Sequence, residues 1–268
     1  MELEPKLGAA EAITERDMII EAALAGGEVA MGYFRHHCEQ WEKPDDLGPV
    51  SEADMAVNTL LIDRLLSARP DYGLLSEETE DGPARLASER VFIIDPIDGT
   101  RSFLKGETGF AIAIAVVERG ALIASVVHLP ARGETYSAAL GQGAAMNGQP
   151  ISPSARRQLA GASALGASAS YRGDHWPGGL PAMERTYRHA LQWRLCLIAS
   201  GAYDLMATMR DAFEWDVAAG ALIATEAGAA ITDRDGQAMV FNSPDAKVPG
   251  ILTAPPVLHT ALIRARRG

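Results

Sequence analysis

Four acidic residues of this chain stand next to apolar segments, where their carboxylates could bind a metal ion. An apolar run at 92–94 ends in Asp95, and Asp98 follows after Pro96 and Ile97. Because Pro96 restricts the backbone, the two carboxylates are held in a fixed relation. Carboxylates this close repel each other, and burial raises the cost of ionising both. A hard divalent cation such as Mg²⁺, which prefers oxygen ligands, would remove the conflict.

Glu77 and Asp216 occupy similar positions elsewhere in the chain. Glu77 follows the short apolar segment Leu74-Leu75, and Asp216 precedes small side chains at 218–224. Taken singly, Glu77 suits a solvated acidic loop and Asp216 suits a helix N-cap. The small side chains, however, predict a helix thin enough to pack closely beneath a site. Three further acids near Glu77 are expected to be solvated: Glu78, Glu80 and Asp81.

The residues that follow Asp98 suit an anionic ligand. Gly99 would let the backbone approach a ligand closely. Thr100 adds a hydroxyl and a backbone N–H, and it could open a short helix aimed at an anion. An Asp-Gly pair is also an ordinary turn signal, so turn formation alone is the alternative interpretation.

Composition and charge restrict the classes of function. The chain has 268 residues and a net charge of −11, so a binder of nucleic-acid polymer is not expected. A bound cation is the simplest device by which such a protein could take an anionic ligand. Cys38 and Cys196 have no metal or redox spacing and suit reduced thiols in the cytoplasm. No signal peptide is expected, and no apolar run approaches the roughly 20 residues of a membrane span.

Hydrophobic periodicity predicts helices and strands in mixed order. Helices are predicted at about 9–37, after a cap at Ser51, and at 195–206, 216–227 and 256–264, with a loop at 43–49. Strands are predicted at 74–75, in an antiparallel meander between 109 and 140, and near 162–166 and 251–253, with turns at Asn147-Gly148 and Asp235-Gly236. This mixture predicts an α+β protein of layered helices and sheets, without a linker long enough to separate free domains.

Four segments carry a resemblance to a known family. VSEAD, SEE, DPIDGTRSF and WDVAAGALIATEAG, in this order between Val50 and Gly228, resemble the signature segments of the inositol monophosphatase superfamily. That superfamily consists of Mg²⁺-dependent, lithium-sensitive phosphomonoesterases. The resemblance covers most of the chain and implies a layered αβαβα sandwich. It also implies one catalytic domain over 1–268, with most ligands in about 1–150 and Asp216 supplied by 151–268.

The resemblance implies two to three Mg²⁺ ions in the active site. Glu77, Asp95 and the carbonyl of Ile97 would bind one ion. Asp95, Asp98 and Asp216 would bind a second. Glu77 and water molecules would hold a third, weaker ion.

The resemblance also assigns the remaining site residues. Asp54 would hydrogen-bond Thr100, and the pair would orient a water for in-line attack on phosphorus. The amides of Gly99 and Thr100 would receive phosphate oxygens. Arg101 after the threonine is similar to the bacterial 3′(2′),5′-bisphosphate nucleotidase branch, which implies conversion of 3′-phosphoadenosine 5′-phosphate to AMP. In that branch it would supply positive potential for the second phosphate, and a surface arginine is the alternative interpretation.

Two segments leave the substrate open between two alternatives. Inositol-specific relatives carry a carboxylate for sugar hydroxyls where this chain has Met209, although Asp211 or Glu214 could replace it. Nucleotidases carry Gly-Ser-Ser where this chain has residues 189–194, so Trp193 and Arg194 are candidates for the second-phosphate or base contacts. Inositol monophosphatase activity is therefore the runner-up.

A non-catalytic metal-binding or RNA-associated interaction protein is the alternative from another class. The complete set of acids and the Asp54–Thr100 pair disfavour it, because a non-catalytic relative has no physical need to orient a water. The expected partner is a small phosphorylated metabolite, and a homodimer is left open.

Overall fold

The structure is a computed structural model that describes residues 8–44 and 48–268. Its helices are α1 (Ala9–Tyr33), α2 (Glu52–Ala68), α3 (Thr100–Leu104), α4 (Leu191–Ala199), α5 (Ala218–Glu226) and α6 (Pro256–Arg267). The central part of the predicted loop at 43–49, residues 45–47, lies outside the described residues.

The strands form two main sheets and two short two-stranded pairs. In chain order they are β1 (Gln40–Glu42), β2 (Pro49–Ser51), β3 (Gly73–Ser76), β4 (Arg90–Asp98), β5 (Ala111–Glu118), β6 (Ala121–Leu129), β7 (Glu134–Ala139), β8 (Ala144–Met146), β9 (Gln149–Pro150), β10 (Ser163–Leu165), β11 (Glu184–Thr186), β12 (Leu205–Thr208), β13 (Ala212–Phe213), β14 (Ala230–Thr232), β15 (Lys247–Val248) and β16 (Ile251–Ala254). The first sheet has the order β3-β4-β5-β6-β7-β8-β9, and the second has the order β11-β10-β12-β16-β14. β1 pairs with β2, and β13 pairs with β15.

The elements stack in five layers. α1 and α2 cover one face of the first sheet, and α4 and α5 lie between the two sheets. α6 packs against the outer face of the second sheet. The predicted layered αβαβα sandwich is therefore confirmed, and the predicted meander corresponds to β5, β6 and β7 with antiparallel register.

Alternation along β5 explains how both faces of the first sheet are covered. Every residue of this strand is buried. Ile112, Ile114 and Val116 face α1 and α2, while the alanines at 111, 113 and 115 face the middle layer. Because successive side chains of a strand point to opposite faces, the small ones let α5 approach the sheet closely.

The contact between α4 and α5 is equally close. A Cβ atom on Gly220 would lie 2.7 Å from Cβ of Leu195 and 2.9 Å from Oε1 of Gln192. The same Gln192 oxygen accepts a hydrogen bond from the Gly220 amide at 2.6 Å. The thin helix predicted after Asp216 is thus confirmed, and its thinness serves this packing.

The predicted helix at 195–206 is wrong at both ends. α4 begins four residues earlier at Leu191 and ends at Ala199, and Met206 belongs to β12. Gly201 follows the helix with φ +71°, and its amide donates to the Ile198 carbonyl. A glycine in this left-handed conformation is a common helix stop, and the apolar residues after it belong to a strand.

Two other boundaries differ from the prediction. α1 ends at Tyr33, because Phe34 turns to extended backbone and packs against Phe103 and Phe110. The turn at Asp235-Gly236 forms with Gly236 at φ +81°, but residues 237–240 form no strand. Among the described residues, no helix has the length and apolar character needed to cross a membrane.

We expect Gly220→Ala to lower the free energy of unfolding by about 1–3 kcal/mol, because the added methyl overpacks the α4–α5 contact. Gly32→Ala is the matched control, since a Cβ at this α1 position would meet nothing within 4 Å. The control should be neutral or stabilising by up to roughly 1 kcal/mol, because alanine has the higher helix propensity. Urea unfolding of both variants measures the difference, and equal stability of the two would contradict the packing argument.

Candidate active site

The end of β4 presents Asp95 and Asp98 through a β-bulge. Asp95 pairs with Ala113 of β5 and Asp98 pairs with Ala111, so β4 carries one extra residue between the two pairs. A bulge of this kind tolerates Pro96 and changes the direction of the following side chains. Gly99 comes next with φ +94°, which is the left-handed backbone that glycine adopts without strain.

Three carboxylates from distant parts of the chain meet beside this bulge. One oxygen each from Glu77, Asp95 and Asp216 lies within 4.8 Å of the others. Glu77 follows β3, and Asp216 ends the 3-10 turn Glu214–Asp216 just before α5. The two residues predicted to flank Asp95 are therefore brought to it by the fold.

Asp95 is the member of this cluster that most needs a cation. Both of its oxygens are buried, and neither has a hydrogen-bond partner among residues 8–44 and 48–268. Burial, followed by the charges of Glu77, Asp98 and Asp216, raises the pKa of Asp95 well above its ordinary value. A divalent cation would replace the missing hydrogen bonds and offset the repulsion, so the donor set fits Mg²⁺.

Asp98 lies in the same cavity but stands apart from that cluster. Its two oxygens accept hydrogen bonds from the amides of Leu191 at 3.0 Å and Gln192 at 2.6 Å, at the start of α4. Burial and the charge of Asp216 raise the pKa of Asp98 to about 8, although these hydrogen bonds oppose the shift. Asp98 thus anchors α4 to the bulge, and its role as a ligand of a second ion stays a prediction.

Asp54 and Thr100 form the predicted pair. Thr100 Oγ1 lies 3.1 Å from Oδ1 of Asp54 and 3.1 Å from the carbonyl oxygen of Ile97. The other oxygen of Asp54 accepts from the Ser51 amide and hydroxyl, at the capping box that begins α2. Burial is the main reason that the pKa of Asp54 rises to about 6. When Thr100 donates to Asp54, the lone pairs of its hydroxyl can accept a hydrogen bond from a water.

Lys43 pairs with the acids after β3, a contact that sequence reasoning missed. Its Nζ lies 2.7 Å from Oε1 of Glu77 and 2.6 Å from Oε1 of Glu78. The prediction that Glu78 is solvated is wrong, because its side chain is only 6% exposed. Burial would lower the pKa of Lys43, but Glu77 and Glu78 outweigh it, and the pKa is raised. The Lys43 ammonium is therefore already an ion-pair partner of Glu77, and the third, weaker ion expected at Glu77 stays a prediction.

A cavity of about 580 Å³ surrounds these groups. Its lining includes Gly99, Thr100 and the four predicted acids Glu77, Asp95, Asp98 and Asp216. Four basic side chains also line it: Lys43, Arg101, Arg194 and Arg210. The aromatic and imidazole side chains around it are Tyr187, His189, Phe213 and Trp215.

Neither Asp211 nor Glu214, the two possible replacements for a carboxylate that binds sugar hydroxyls, lines this cavity. Met209 is buried in the outer core, and Asp211 is paired with Arg234 outside the cavity. Glu214 is fully buried and accepts hydrogen bonds from the amides of Asn242 and Ser243. Within the described part of the chain, the cavity acids are thus the four metal-ligand candidates alone.

Of Trp193 and Arg194, the two candidates for the second-phosphate or base contacts, only Arg194 lines the cavity. Arg194 lines the cavity, whereas Trp193 does not and packs beneath Arg132 and Arg188 at 4.8 and 5.9 Å. Arg210 was not predicted, and its only sequence signal is its place immediately after Met209.

Comparisons with known proteins found both sequence relatives and similar structures. The model of the inositol monophosphatase family matches residues 13–268. The histidinol-phosphatase of Chlorobaculum parvum is 33% identical, over 84% of this chain and 88% of its own. The fructose-1,6-bisphosphatase/inositol-1-monophosphatase of Thermotoga maritima is 34% identical, over 70% of this chain and 72% of its own. The crystal structure of the extragenic suppressor protein SuhB from Bartonella henselae superimposes with a TM-score of 0.78 at 26% identity, over 94% and 97% of the two chains.

The metal-free protein should lose stability as the pH rises. The pKa values of Asp54, Asp216 and Asp98 are raised to about 6, 7 and 8 in the folded state. A carboxyl group whose pKa is raised by folding contributes stability below its unfolded pKa of roughly 4, and the contribution is lost as the pH passes the folded value. The unfolding temperature in EDTA should therefore fall between pH 5 and pH 8.5. Mg²⁺ should restore it, with the larger effect at pH 8.5.

Asp95→Asn is the matched variant for this experiment, because it removes one charge and keeps the side-chain volume. In EDTA at pH 8.5 it should unfold at a higher temperature than the wild type, since it relieves the repulsion. Its response to Mg²⁺ should be small. A Mg²⁺ response equal to that of the wild type would show that Asp95 does not bind the ion.

Proposed function

The chain belongs to the inositol monophosphatase family of metal-dependent phosphatases, and from that premise we propose that it hydrolyses a small phosphomonoester carrying a second anionic group. The substrate we favour is 3′-phosphoadenosine 5′-phosphate, which would be converted to AMP. The observation that carries this choice is the guanidinium of Arg194.

Arg194 is a buried cation that lines the cavity, and one nitrogen of its guanidinium makes no hydrogen bond within the described residues. The residue is 4% exposed, and its Nε has no hydrogen-bond partner in the described ranges 8–44 and 48–268. Its guanidinium carbon lies 5.2 Å from the centre of the Tyr187 ring. Burial lowers the pKa of Arg194, while Tyr187 and Asp98 act in the opposite direction. A buried, unpaired charge is costly, so an anionic group of the substrate would be a favourable partner.

The charge of the cavity supports the same substrate class. The four lining acids and four lining basic residues cancel formally. Two Mg²⁺ ions would then leave the cavity with a formal charge of +4. Each phosphate monoester group carries about −1.5 to −2 at neutral pH, so a bisphosphate matches this charge. The amine of histidinol phosphate would instead meet like charges, which disfavours that ester.

The aromatic wall of the cavity suits a nucleotide. Phe213 and Trp215 stack with ring centroids 4.4 Å apart, and Tyr187 packs edge-on against His189 at 5.1 Å. All four side chains line the cavity. Base stacking on aromatic rings contributes roughly 1–3 kcal/mol per base and needs no hydrogen bonds.

The residues of the bulge would position the ester for hydrolysis. The amides of Gly99 and Thr100 would hold phosphate oxygens, and Glu77, Asp95, Asp98, Asp216 and the Ile97 carbonyl would hold Mg²⁺. Bound Mg²⁺ would supply activation of water and neutralisation of charge on the phosphoryl oxygens. The Thr100 hydroxyl, fixed by Asp54, would accept a hydrogen bond from the attacking water and direct its lone pair toward phosphorus. Arg101 and Arg194 would bind the second anionic group.

Inositol monophosphate is the second candidate substrate, because the name of the Thermotoga maritima relative includes that activity. The absence of a free carboxylate for its hydroxyls among the described cavity residues disfavours it. A non-catalytic interaction protein, the alternative from another class, would have no use for a Thr100 hydroxyl that is oriented by Asp54.

A phosphate-release assay should rank the substrates. At matched Mg²⁺, kcat/KM should be highest for 3′-phosphoadenosine 5′-phosphate, lower for fructose 1,6-bisphosphate and lowest for inositol 1-phosphate and histidinol phosphate. A clear preference for either monophosphate would contradict the proposed second-anion contact. No release from any ester, with Mg²⁺ bound, would favour the non-catalytic alternative.

Arg194→Gln should separate the two substrate classes. We expect kcat/KM for the bisphosphate to fall about tenfold to a hundredfold, as for loss of a charge-assisted hydrogen bond of ~1.5–3 kcal/mol. The value for inositol 1-phosphate should change less than about threefold, because it makes no second-anion contact. Arg185→Gln is the matched control, since Arg185 lies over the Tyr171 ring at 5.3 Å and does not line the cavity. Equal losses for both substrates would refute the role assigned to Arg194.

A further inference from the structure

Glu77 and Asp216 approach each other although 139 positions separate them and both are acidic. Something other than their own interaction must hold the segments that carry them. The segment that carries Glu77 is the loop after β3, which continues into the 3-10 helix Pro83–Ala87. The segment that carries Asp216 is the 3-10 turn Glu214–Asp216.

Arg85 is buried at the centre of a polar bridge between these segments. It is 3% exposed. On its own side it binds both oxygens of Asp81 through Nε and Nη2, at 2.7 and 2.8 Å. Across the gap it donates to Oδ1 of Asn242 at 2.6 Å and to the carbonyl of Ser243 at 3.0 Å. This forked geometry requires a guanidinium, because an ammonium cannot reach all these acceptors.

Glu214 extends this hydrogen-bond network toward the carboxylate cluster of Glu77, Asp95 and Asp216. Its carboxylate accepts from the Asn242 amide at 2.6 Å, and from the Ser243 amide and hydroxyl at 2.8 and 2.6 Å. Asn242 has φ +61°, so this loop is held in a left-handed conformation by its contacts on both sides. Glu214 is fully buried and lies two residues before Asp216.

We propose that Arg85 and Glu214, joined through Asn242 and Ser243, act as a clamp that sets the separation of the Glu77 and Asp216 carboxylates and thereby the Mg²⁺ affinity of the site. Neither residue lines the cavity, so both are positioning residues. The clamp opposes the electrostatic repulsion of the acids before the metal binds, which reduces the rearrangement that binding requires. The proposal rests on the metal centre of the proposed function.

The test is Mg²⁺ titration of the substrate-free protein by calorimetry, with wild type, Arg85→Gln and Glu214→Gln compared at one pH. Each variant should raise the Kd for Mg²⁺ by about tenfold or more, as observed when groups that orient metal ligands are removed. The double variant should be little worse than either single one, because both break the same bridge. At saturating Mg²⁺, kcat should recover most of its wild-type value.

Two controls separate positioning from general effects. Arg119→Gln removes an exposed arginine–glutamate pair of 2.6 Å and should leave the Kd unchanged. Leu258→Ala removes buried packing beneath α6 and should lower stability without changing the Kd. If Arg85→Gln fails to fold, Ser243→Ala supplies the test, because it deletes only the hydroxyl that donates to Glu214.

An unchanged Kd for Mg²⁺ in folded Arg85→Gln and Glu214→Gln would overturn the proposed clamp. A rise of the Kd in Leu258→Ala as large as in those two variants would also overturn it. The wild-type titration distinguishes this failure from failure of the metal centre. A wild type that binds no Mg²⁺ removes the premise and overturns both.

Discussion

The repulsion among buried carboxylates at the end of β4 is the constraint on which the rest of the structure depends. Asp95 has two oxygens without hydrogen-bond partners among the described residues, and Glu77 and Asp216 lie close beside it. Such a cluster opposes folding unless the surrounding structure holds it or a cation neutralises it. The bulge in β4, the clamp at Arg85 and the Lys43 ammonium beside Glu77 all act on this one problem.

The middle layer of the sandwich connects this cluster to the two sheets. Asp98 accepts hydrogen bonds from the first amides of α4, and Gln192 of α4 donates to the Trp215 carbonyl beside Asp216. Gly220 allows α5 to pack directly on this region. The same small residues that make the helix pair thin therefore also bring the acid before α5 to the end of β4.

Much of this arrangement is visible in local sequence patterns. The meander follows from alternating apolar runs, and the start of α2 follows from Ser51 with its capping box. The family resemblance predicts the approach of Asp54 to Thr100, and their oxygens lie 3.1 Å apart in the structure. The end of α4 is also marked in the sequence, because Gly201 is a common helix stop signal.

Other features depend on contacts between residues far apart in the chain. Lys43 precedes Glu77 by 34 positions, and Arg85 meets Asn242 across 157 positions. A sequence shows each of these as a single charged residue, for which a solvated surface position is the ordinary expectation. Burial of Arg194 likewise depends on how α4 is oriented by Asp98, which its apolar periodicity does not specify.

The proposed hydrolysis requires cations at the carboxylate cluster of Glu77, Asp95 and Asp216. The most direct test is a crystal structure of the protein grown with Mn²⁺, read by anomalous scattering. We expect a Mn²⁺ ion bound to an Asp95 oxygen and shared with Glu77 or Asp216. If the side chains that line the cavity are well ordered and no anomalous peak lies within bonding distance of Asp95, the proposed metal centre is wrong.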